Sequence, residues 1–255
     1  MTQRQPQSHL ALPVGIAACL FDLDGVITQT AKVHAAAWKA MFNAFLLERS
    51  QRNGEPFRPF DLSTDYREYV DGKLRVDGVR SFTQSRGIFL DEGSVDDPPS
   101  AQTLYGLGTR KNRAFLDILR KDGVEVYEGS RRFVEVARYS GLRRAVVSAS
   151  SNCQEVLRAA EIEDLFEVRV DGLSARRERL RGKPEPDMFL AAAQALGTAP
   201  EHSVVFEDAI AGVEAGRAGG FGFVVGVDRT GNADALLSHG ADRVVSDLAD
   251  LLEQL

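Results

Sequence analysis

The sequence predicts an α/β fold, a doubly wound parallel sheet that is interrupted after its first strand by a helical insertion. Residues 14–21 form an almost unbroken apolar run that ends just before the turn-forming pair Asp24-Gly25, which is typical of a central parallel strand. Residues 31–47 then place apolar side chains at helical intervals. From residue 124 onward, short apolar strands alternate with helices, as expected for parallel strands joined by helical crossovers.

The insertion is predicted to be helical and small. Residues 48–105 are polar and rich in proline and glycine, with a readable helical stretch at 66–70. A further amphipathic helix is predicted at 110–121, and it can pair with the helix at 31–47 to form a small bundle. We therefore expect a discontinuous α/β core domain at 1–30 and 125–255, and an inserted α-helical cap domain at 31–124.

The second half of the chain supplies the remaining elements of the sheet. Strands are predicted at 145–147, 204–206 and 221–225, and helices at 130–139, 152–160, 186–196 and 209–218. In an open sheet of this Rossmann-like kind, ligands bind beyond the carboxyl ends of the strands. The residues directly after each apolar run are therefore the candidates for chemistry.

Composition narrows the class of partner. The formal net charge of -6 and the pI near 5.4 provide no general attraction for nucleic acid or an anionic membrane, so we expect small-molecule partners, no nucleic acid and no membrane. Cys19 and Cys153 cannot build a framework of several disulfides, which favours a reducing compartment and a cytoplasmic location. The apolar residues 10–21 are too few to span a bilayer, and the polar residues 1–8 predict a disordered tail. We expect a monomer or a weak homodimer.

Polar residues follow the predicted strands in a pattern that points to one site. They are Asp22 and Asp24 after the first strand, Ser148 after the second, Lys183 in a later loop, and Glu207 and Asp208 after a further strand. Clustered carboxylates repel one another unless a cation neutralises them, and magnesium (Mg²⁺) is commonly held by one or two carboxylates with a substrate phosphate. We expect direct ligation by Asp22 and Asp208, a ligating or orienting role for Glu207, and a further ligand in the backbone carbonyl of Asp24.

Each of these motifs has a simpler explanation when taken singly. An isolated Asp-x-Asp-Gly sequence is a common turn, and Ser148 can be an ordinary end of a strand. Lys183 can be a solvated loop residue, and Glu207-Asp208 can cap a helix N-terminus. Their joint occurrence in this order favours a single functional site.

The ordered motifs DLDGV, SAS, GKPEPD and ED resemble those of the haloacid dehalogenase superfamily, and the resemblance covers nearly all of the chain from Ile16. It implies that Asp22 attacks phosphorus to form an aspartyl phosphate and that Asp24 acts as general acid and base. It further implies that Ser148 binds the transferring phosphoryl group and that Lys183 neutralises its charge. These assignments agree with the use of carboxylates as covalent nucleophiles and of positioned charge in phosphoryl transfer.

The run DGVITQTAKVHAAAWKA is similar to the corresponding segment of the β-phosphoglucomutase-like subfamily. The resemblance implies a set of substrate-binding residues in addition to Ser148 and Lys183: Thr30, His34, Trp38, Gly72, Arg75, Lys111, Ala149, Ser150 and Asn152. Arg75 would hold the distal phosphate. Two features depart from the subfamily, namely Gln29 in place of its usual Asp, and extra sequence between Leu47 and Tyr66 and between Gly87 and Gly108.

The resemblance implies a Mg²⁺-dependent interconversion of β-D-glucose 1-phosphate and glucose 6-phosphate through β-glucose 1,6-bisphosphate. Cap opening and closing would hinge at residues 28–30 and 124–127. Two alternatives remain open: a sugar-phosphate phosphatase of the same superfamily, in which water accepts the phosphoryl group, and a non-catalytic sugar-phosphate sensor. The motifs around Asp22 do not separate the mutase from the phosphatase.

Overall fold

The structure, a computed structural model, describes residues 10–253, so the disordered tail expected at residues 1–8 lies outside the described residues. The chain divides into two compact units. The first, the α/β unit, contains the chain up to Gln29 and from Val124 onward, and the second, the helical unit, contains Thr30–Gly123. A role of the helical unit as a cap stays a prediction.

The α/β unit is built on a six-stranded parallel sheet in the order β3-β2-β1-β4-β5-β6. The strands are β1 (Ala18–Phe21), β2 (Arg143–Val147), β3 (Val168–Val170), β4 (Ser203–Glu207), β5 (Phe223–Val227) and β6 (Arg243–Val245). Strand order reverses between β1 and β4, which are paired with Ala18 opposite Ser203. A crevice at the carboxyl ends of the strands forms at such a switch point. The predicted fold class is confirmed.

Nine α-helices are assigned within residues 10–253. They are α1 (Ala31–Asn53), α2 (Arg75–Ser85), α3 (Leu104–Asp122), α4 (Glu128–Tyr139), α5 (Cys153–Ala159), α6 (Gly172–Glu178), α7 (Asp187–Leu196), α8 (Ile210–Ala218) and α9 (Ala233–Ser238). The stretch expected to be helical at 66–70 is a π-helical turn, Tyr66–Val70. No helix among the residues that the structure describes combines the length and the apolar character needed to cross a membrane.

Several element boundaries differ from the sequence prediction, and at two of them the physical reason is visible. The first strand starts at Ala18 rather than at residue 14, because Val14 is 94% exposed and Gly15 adopts a turn with φ of 94°. Helix α1 continues past residue 47 to Asn53 and ends at Gly54, whose φ of 69° suits a glycine after a helix. The periodic apolar pattern ends at residue 47, six residues before the helix ends at Asn53.

Among the α-helices and strands, α2, α6, α9, β3 and β6 were not predicted, and three of them, α2, β3 and β6, show why. Helix α2 has few apolar positions and an internal Gly78, but Val79 and Phe82 on one of its faces are buried. Strands β3 and β6 are three residues each and carry arginine, so they lack the apolar run by which the other strands are recognised. All three are stabilised by packing against longer neighbours rather than by local propensity.

Each unit has its own apolar core. In the α/β unit, Phe21 and Phe206 on the adjacent strands β1 and β4 stack with ring centroids 4.7 Å apart. In the helical unit, a buried cluster joins α1, α2 and α3 and includes Phe42, Phe60 and Phe82. Burial of such a side chain stabilises the fold by about 1.5–3 kcal/mol. The α/β core holds the strand ends in place, and the chemistry-bearing residues follow those ends.

Candidate active site

Two acidic residues lie on either side of the switch point between β1 and β4. Asp22 directly follows β1, its backbone N–H donates to the carbonyl of Phe206 at 2.9 Å, and its side chain is buried. Glu207 is the last residue of β4, and Asp208 follows it. One carboxylate oxygen from each of Asp22, Glu207 and Asp208 can be chosen so that all three lie within 4.8 Å of one another. The sequence prediction that these acids converge is thus in agreement with their geometry.

Lys183 is buried among acceptors at this edge of the sheet. Its Nζ donates to Asp22 Oδ1 at 2.5 Å, to Glu207 Oε1 at 2.6 Å and to the carbonyl of Val147 at 3.3 Å. The side chain has no solvent exposure. One ammonium therefore links the ends of three strands, β1, β2 and β4, and an ion pair as buried as this requires such complete pairing.

Glu207 has both carboxylate oxygens engaged. Oε1 accepts from Lys183, and Oε2 accepts from the backbone N–H of Ala209 at 3.0 Å. A Cβ on Gly212 would lie 1.8 Å from Oε1, so this helix position has room only for glycine. The sequence left open whether Glu207 ligates a metal directly or orients Lys183. Because both of its oxygens are engaged, the geometry favours the orienting role.

Asp208 lies against the loop that follows Asp22. A Cβ added to Gly25 would lie 1.8 Å from Asp208 Oδ2. Gly25 also has a φ of 99°, in the region that favours glycine. The turn after Asp24 therefore requires a glycine both for its backbone conformation and for the space that the Asp208 carboxylate occupies.

The loop after β2 brings hydroxyl groups to the same edge. Ser148 is buried, and its Oγ lies 3.4 Å from Asp24 Oδ2, to which it donates a long hydrogen bond. The same Oγ accepts the backbone N–H of Ser150 at 3.1 Å, and Ser150 Oγ accepts the N–H of Asn152 at 3.2 Å. Ala149 lies between these serines, so the stretch from 148 to 152 is held in a fixed conformation next to Asp24.

The pKa values at this cluster are displaced by burial and by mutual charge. The pKa of Asp22 is raised well above its usual range, chiefly because burial disfavours its charged form. The adjacent Lys183 ammonium lowers this pKa, and repulsion from Glu207 and Asp24 raises it. Burial alone would lower the pKa of Lys183, but the adjacent Asp22 and Glu207 carboxylates raise it above its ordinary value. Lys183 is thus held as a cation. Its single positive charge does not balance the three carboxylates of the cluster when all are ionised.

The donor set fits a divalent cation. Three clustered carboxylates with one ammonium leave an excess of two negative charges when all are ionised. Carboxylate oxygen is the ligand type preferred by hard cations such as Mg²⁺. A divalent ion would balance the charge of the cluster and offset the repulsion that adds to the effect of burial on the pKa of Asp22.

In the helical unit, Lys111 contacts two other predicted substrate-binding residues, His34 and Trp38. Lys111 Nζ lies 2.6 Å from His34 Nδ1, and it also lies 5.1 Å from the centroid of the Trp38 ring. The donor and the acceptor in the contact between Lys111 and His34 depend on the tautomer of the His34 ring. Trp38 is 4% exposed and its ring stacks on Phe42 in the apolar core, so its contact with a sugar stays a prediction.

The other predicted residues of the helical unit lie at the starts of helices. Thr30 is buried and precedes α1, and its carbonyl accepts the N–H of His34 at 2.9 Å. Gly72 has a φ of 70° in the turn before α2, and Arg75 is the first residue of that helix. The Arg75 side chain packs along Gly108 of α3, where a Cβ would lie 3.4 Å from Arg75 Cδ. Their substrate contacts stay predictions.

Sequence reasoning missed one residue that the structure places beside the Asp24-Gly25 turn. Arg229 donates from Nε to the carbonyl of Gly25 at 3.0 Å and forms an ion pair with Asp247. It lies two residues after β5, so the rule that residues following parallel strands carry function could have identified it.

Comparisons with known proteins give a consistent result. The family model for haloacid dehalogenase-like hydrolases matches residues 16–220. The chain is 54% identical over 246 residues to the β-phosphoglucomutase of Mycobacterium bovis, which covers 95% of this chain and 94% of the relative. It is 32% identical over 239 residues to the β-phosphoglucomutase of Bacillus subtilis, covering 93% and 92%.

A solved structure agrees with the sequence relatives. The crystal structure of β-phosphoglucomutase from Clostridium difficile superimposes with a TM-score of 0.71 at 25% identity, covering 92% of this chain and 93% of that one. The resemblance drawn from the motifs around Asp22, Ser148, Lys183 and Asp208 is thereby confirmed. By its matching residues 16–220 and by its relatives along nearly its whole length, this chain belongs to the haloacid dehalogenase-like hydrolase family.

Proposed function

We propose that this chain interconverts β-D-glucose 1-phosphate and glucose 6-phosphate by phosphoryl transfer through Asp22. The observation that carries the chemistry is the buried 2.5 Å contact of Lys183 Nζ with Asp22 Oδ1 at the edge of the sheet where Glu207 and Asp208 also lie. The choice of sugar is supported by the name of the M. bovis relative, which is 54% identical along nearly all of both chains.

The first transfer begins with Asp22 carrying a phosphoryl group. The 6-hydroxyl of β-glucose 1-phosphate attacks phosphorus, the bond between phosphorus and the Asp22 oxygen breaks, and Asp24 takes the hydroxyl proton. The products are β-glucose 1,6-bisphosphate and the free Asp22 carboxylate. Ser148 Oγ, at 3.4 Å from Asp24 Oδ2, helps to orient the base.

The second transfer runs in the opposite sense on the other phosphate. After the bisphosphate reorients, the Asp22 carboxylate attacks the phosphorus of the 1-phosphate, and Asp24 returns its proton to the sugar oxygen as the bond to phosphorus breaks. Glucose 6-phosphate leaves, and Asp22 is phosphorylated again. Lys183 remains cationic through both steps and offsets the charge of the phosphoryl oxygens.

We assign the metal site to Asp22, Asp208 and the backbone carbonyl of Asp24, with Glu207 orienting Lys183. Mg²⁺ bound there would neutralise phosphoryl oxygens and allow two anions to approach each other. Arg75 is assigned to the phosphate that is remote from Asp22, because a guanidinium fork binds phosphate by paired hydrogen bonds. His34, Trp38 and Lys111, with Thr30 and Gly72, are assigned to the sugar side of the substrate. Ala149, Ser150 and Asn152 are assigned to its phosphate side.

The test is a product assay with β-glucose 1-phosphate, Mg²⁺ and a trace of β-glucose 1,6-bisphosphate. We expect glucose 6-phosphate, detected by its oxidation with a coupled dehydrogenase, and little free phosphate. α-Glucose 1-phosphate serves as the matched control substrate, and the variant Asp22→Ala should remain folded and lose turnover.

Two results would replace this proposal. Stoichiometric free phosphate without glucose 6-phosphate would assign the chain as a phosphatase, the activity for which water rather than a sugar hydroxyl accepts the phosphoryl group. Saturable binding of the sugar phosphate with no product of either kind would assign it as a sensor. Unchanged activity of Asp22→Ala would refute the role of Asp22 as the nucleophile.

A further inference from the structure

Arg229 is a partly buried arginine at the point where the α/β unit connects to the inserted segment. Its side chain is 13% exposed, and its guanidinium lies on the ring of Tyr127, with Cζ 3.6 Å from the ring centroid. All three guanidinium nitrogens donate hydrogen bonds to backbone or side-chain oxygens. Nε donates to Gly25 O at 3.0 Å, Nη1 to Ser246 O and Asp247 Oδ2 at 2.8 Å each, and Nη2 to Ser130 Oγ at 3.2 Å and Val26 O at 3.4 Å.

The acceptors Gly25 and Val26 belong to the turn that carries Asp24. This turn is closed by the N–H of Gly25, which donates to the carbonyl of Thr28 at 2.7 Å. On the Cα side of Gly25 lies the Asp208 carboxylate, at a distance that leaves no room for a Cβ. Gly25 is thus confined between Asp208 and the guanidinium of Arg229. Loss of the guanidinium would free the turn, and Asp24 with it, to shift relative to Asp208.

The same guanidinium contacts the segment that returns from the insertion. Tyr127, under the guanidinium, donates its N–H to the carbonyl of Ile27 at 2.9 Å, and Ser130 Oγ donates to the carbonyl of Val26 at 2.6 Å. The outgoing segment, residues 25–29, and the returning segment, residues 124–130, are therefore joined directly and again through Arg229. Both segments lie within the α/β unit.

Asp247 holds Arg229 from the opposite side. Its Oδ1 accepts the N–H of Ala249 at 2.9 Å, and its Oδ2 accepts from the guanidinium. A Cβ on Gly129 would lie 1.8 Å from Asp247 Oδ1, so the start of α4 fits closely against this carboxylate. An arginine bound in this way by a fixed carboxylate has little freedom to move away from Gly25.

We infer that Arg229 is a positioning residue for phosphoryl transfer, which acts through the Gly25 carbonyl to set the spacing of Asp24 and Asp208. The inference rests on the proposed function, since Asp24 and Asp208 are the acid-base and metal-binding groups of that proposal. Loss of an outer group that positions metal ligands typically lowers metal affinity or activity by roughly 10- to 100-fold. Arg229 should therefore influence both metal binding and turnover, in addition to stability.

Arg144 offers a matched control at the other end of the sheet. It is a buried arginine on β2 that donates to the carbonyls of Leu165 and Leu142 and pairs with Glu167, so its chemistry is similar to that of Arg229. It lies at the amino end of its strand, away from the acidic cluster. Arg144→Ala therefore reports what the loss of a buried arginine does to folding alone.

The experiment compares Arg229→Ala, Arg229→Lys and Arg144→Ala with the wild-type protein. Thermal unfolding, Mn²⁺ binding to the protein without substrate by electron paramagnetic resonance, and kcat are measured at a temperature where all four are folded. We expect Arg229→Ala to lower kcat and to raise the Mn²⁺ dissociation constant by roughly 10-fold or more. Millimolar guanidinium ion should restore part of both losses in a saturable manner. Arg229→Lys should be intermediate, and Arg144→Ala should lower the unfolding temperature alone.

The inference is overturned if Arg229→Ala keeps kcat and Mn²⁺ affinity within about twofold of wild type while its unfolding temperature falls as that of Arg144→Ala does. Should Arg229→Ala not fold, Arg229→Lys decides by the same criterion. If the wild-type protein binds Mn²⁺ but does not convert β-glucose 1-phosphate, the proposed function fails. The Mn²⁺ comparison still decides the role of Arg229.

Discussion

Replacing Gly25 by alanine tests whether the close approach of Asp208 to this turn is required for activity. The added Cβ would lie 1.8 Å from Asp208 Oδ2, whereas real Cβ atoms essentially never approach another atom within 3.0 Å, so the carboxylate must retreat by more than 1 Å. A displacement of about 1 Å at a reacting centre can reduce the rate by about 100-fold, which corresponds to about 2.7 kcal/mol. We expect Gly25→Ala to lose this factor in kcat and to bind Mg²⁺ less tightly.

Gly15 provides a control that separates contact from backbone strain. Its φ of 94° is close to the 99° of Gly25, but nothing lies within 4 Å of the Cβ that alanine would add. Each substitution forces alanine into the left-handed region, at about 1–2 kcal/mol, which lowers the unfolding temperature by several degrees at most in a chain of this size. Gly15→Ala should therefore be destabilised and yet keep its kcat.

The assay measures the rate of glucose 6-phosphate formation as a function of Mg²⁺ concentration, with thermal unfolding of the same samples. The reasoning is refuted if Gly25→Ala and Gly15→Ala have equal kcat values at saturating Mg²⁺. Such a result would mean that the Asp208 carboxylate can move away from Gly25 at no cost to the reaction.

Two further predictions concern the buried charges. Lys183→Met leaves Asp22 and Glu207 without their shared ammonium. The variant should lose phosphoryl transfer, and its free energy of unfolding, measured by urea denaturation, should fall by about 3–5 kcal/mol. An unfolding free energy within about 1 kcal/mol of wild type would contradict this prediction. Because burial raises the pKa of Asp22 in the folded protein, its protonation stabilises the metal-free fold at pH values below the usual range of Asp, and this contribution is lost as pH rises through the raised pKa. Asp22→Asn should therefore have a higher free energy of unfolding than wild type in a metal chelator at neutral pH. This difference in unfolding free energy should grow as the pH rises and shrink when Mg²⁺ is added. A difference that does not change with pH would rule this out.

Much of the site was predictable because it depends on local pattern. An apolar run that ends at a polar residue marks the carboxyl end of a parallel strand, and Asp22, Ser148 and Glu207 each occupy that position. The same rule fails where the strand is too short to show a run, as in β3 and β6. It also overlooked Arg229, because the strand was predicted to end at residue 225, four residues before Arg229, whereas β5 ends at Val227.

The detailed roles of the acids could not be predicted, since they depend on individual oxygen atoms. The sequence left Glu207 as either a ligand or an orienting residue. The structure engages one of its oxygens with Lys183 and the other with the N–H of Ala209. Helix α2 was missed for a comparable reason, because Phe82 becomes a core residue only through its contacts with Phe42 and Phe60.

Periodicity and motifs are properties of neighbouring residues, so the amino-acid sequence was enough to predict the fold class, the family and the order of the residues that carry the chemistry. Three features became visible in the folded chain alone: which oxygen binds which donor, the space that Gly25 leaves for Asp208, and the contact of Arg229 with the carbonyl of Gly25 across 204 residues of chain. Such contacts follow from distances between segments that are brought together by the packing of the whole sheet, and no local pattern contains those distances.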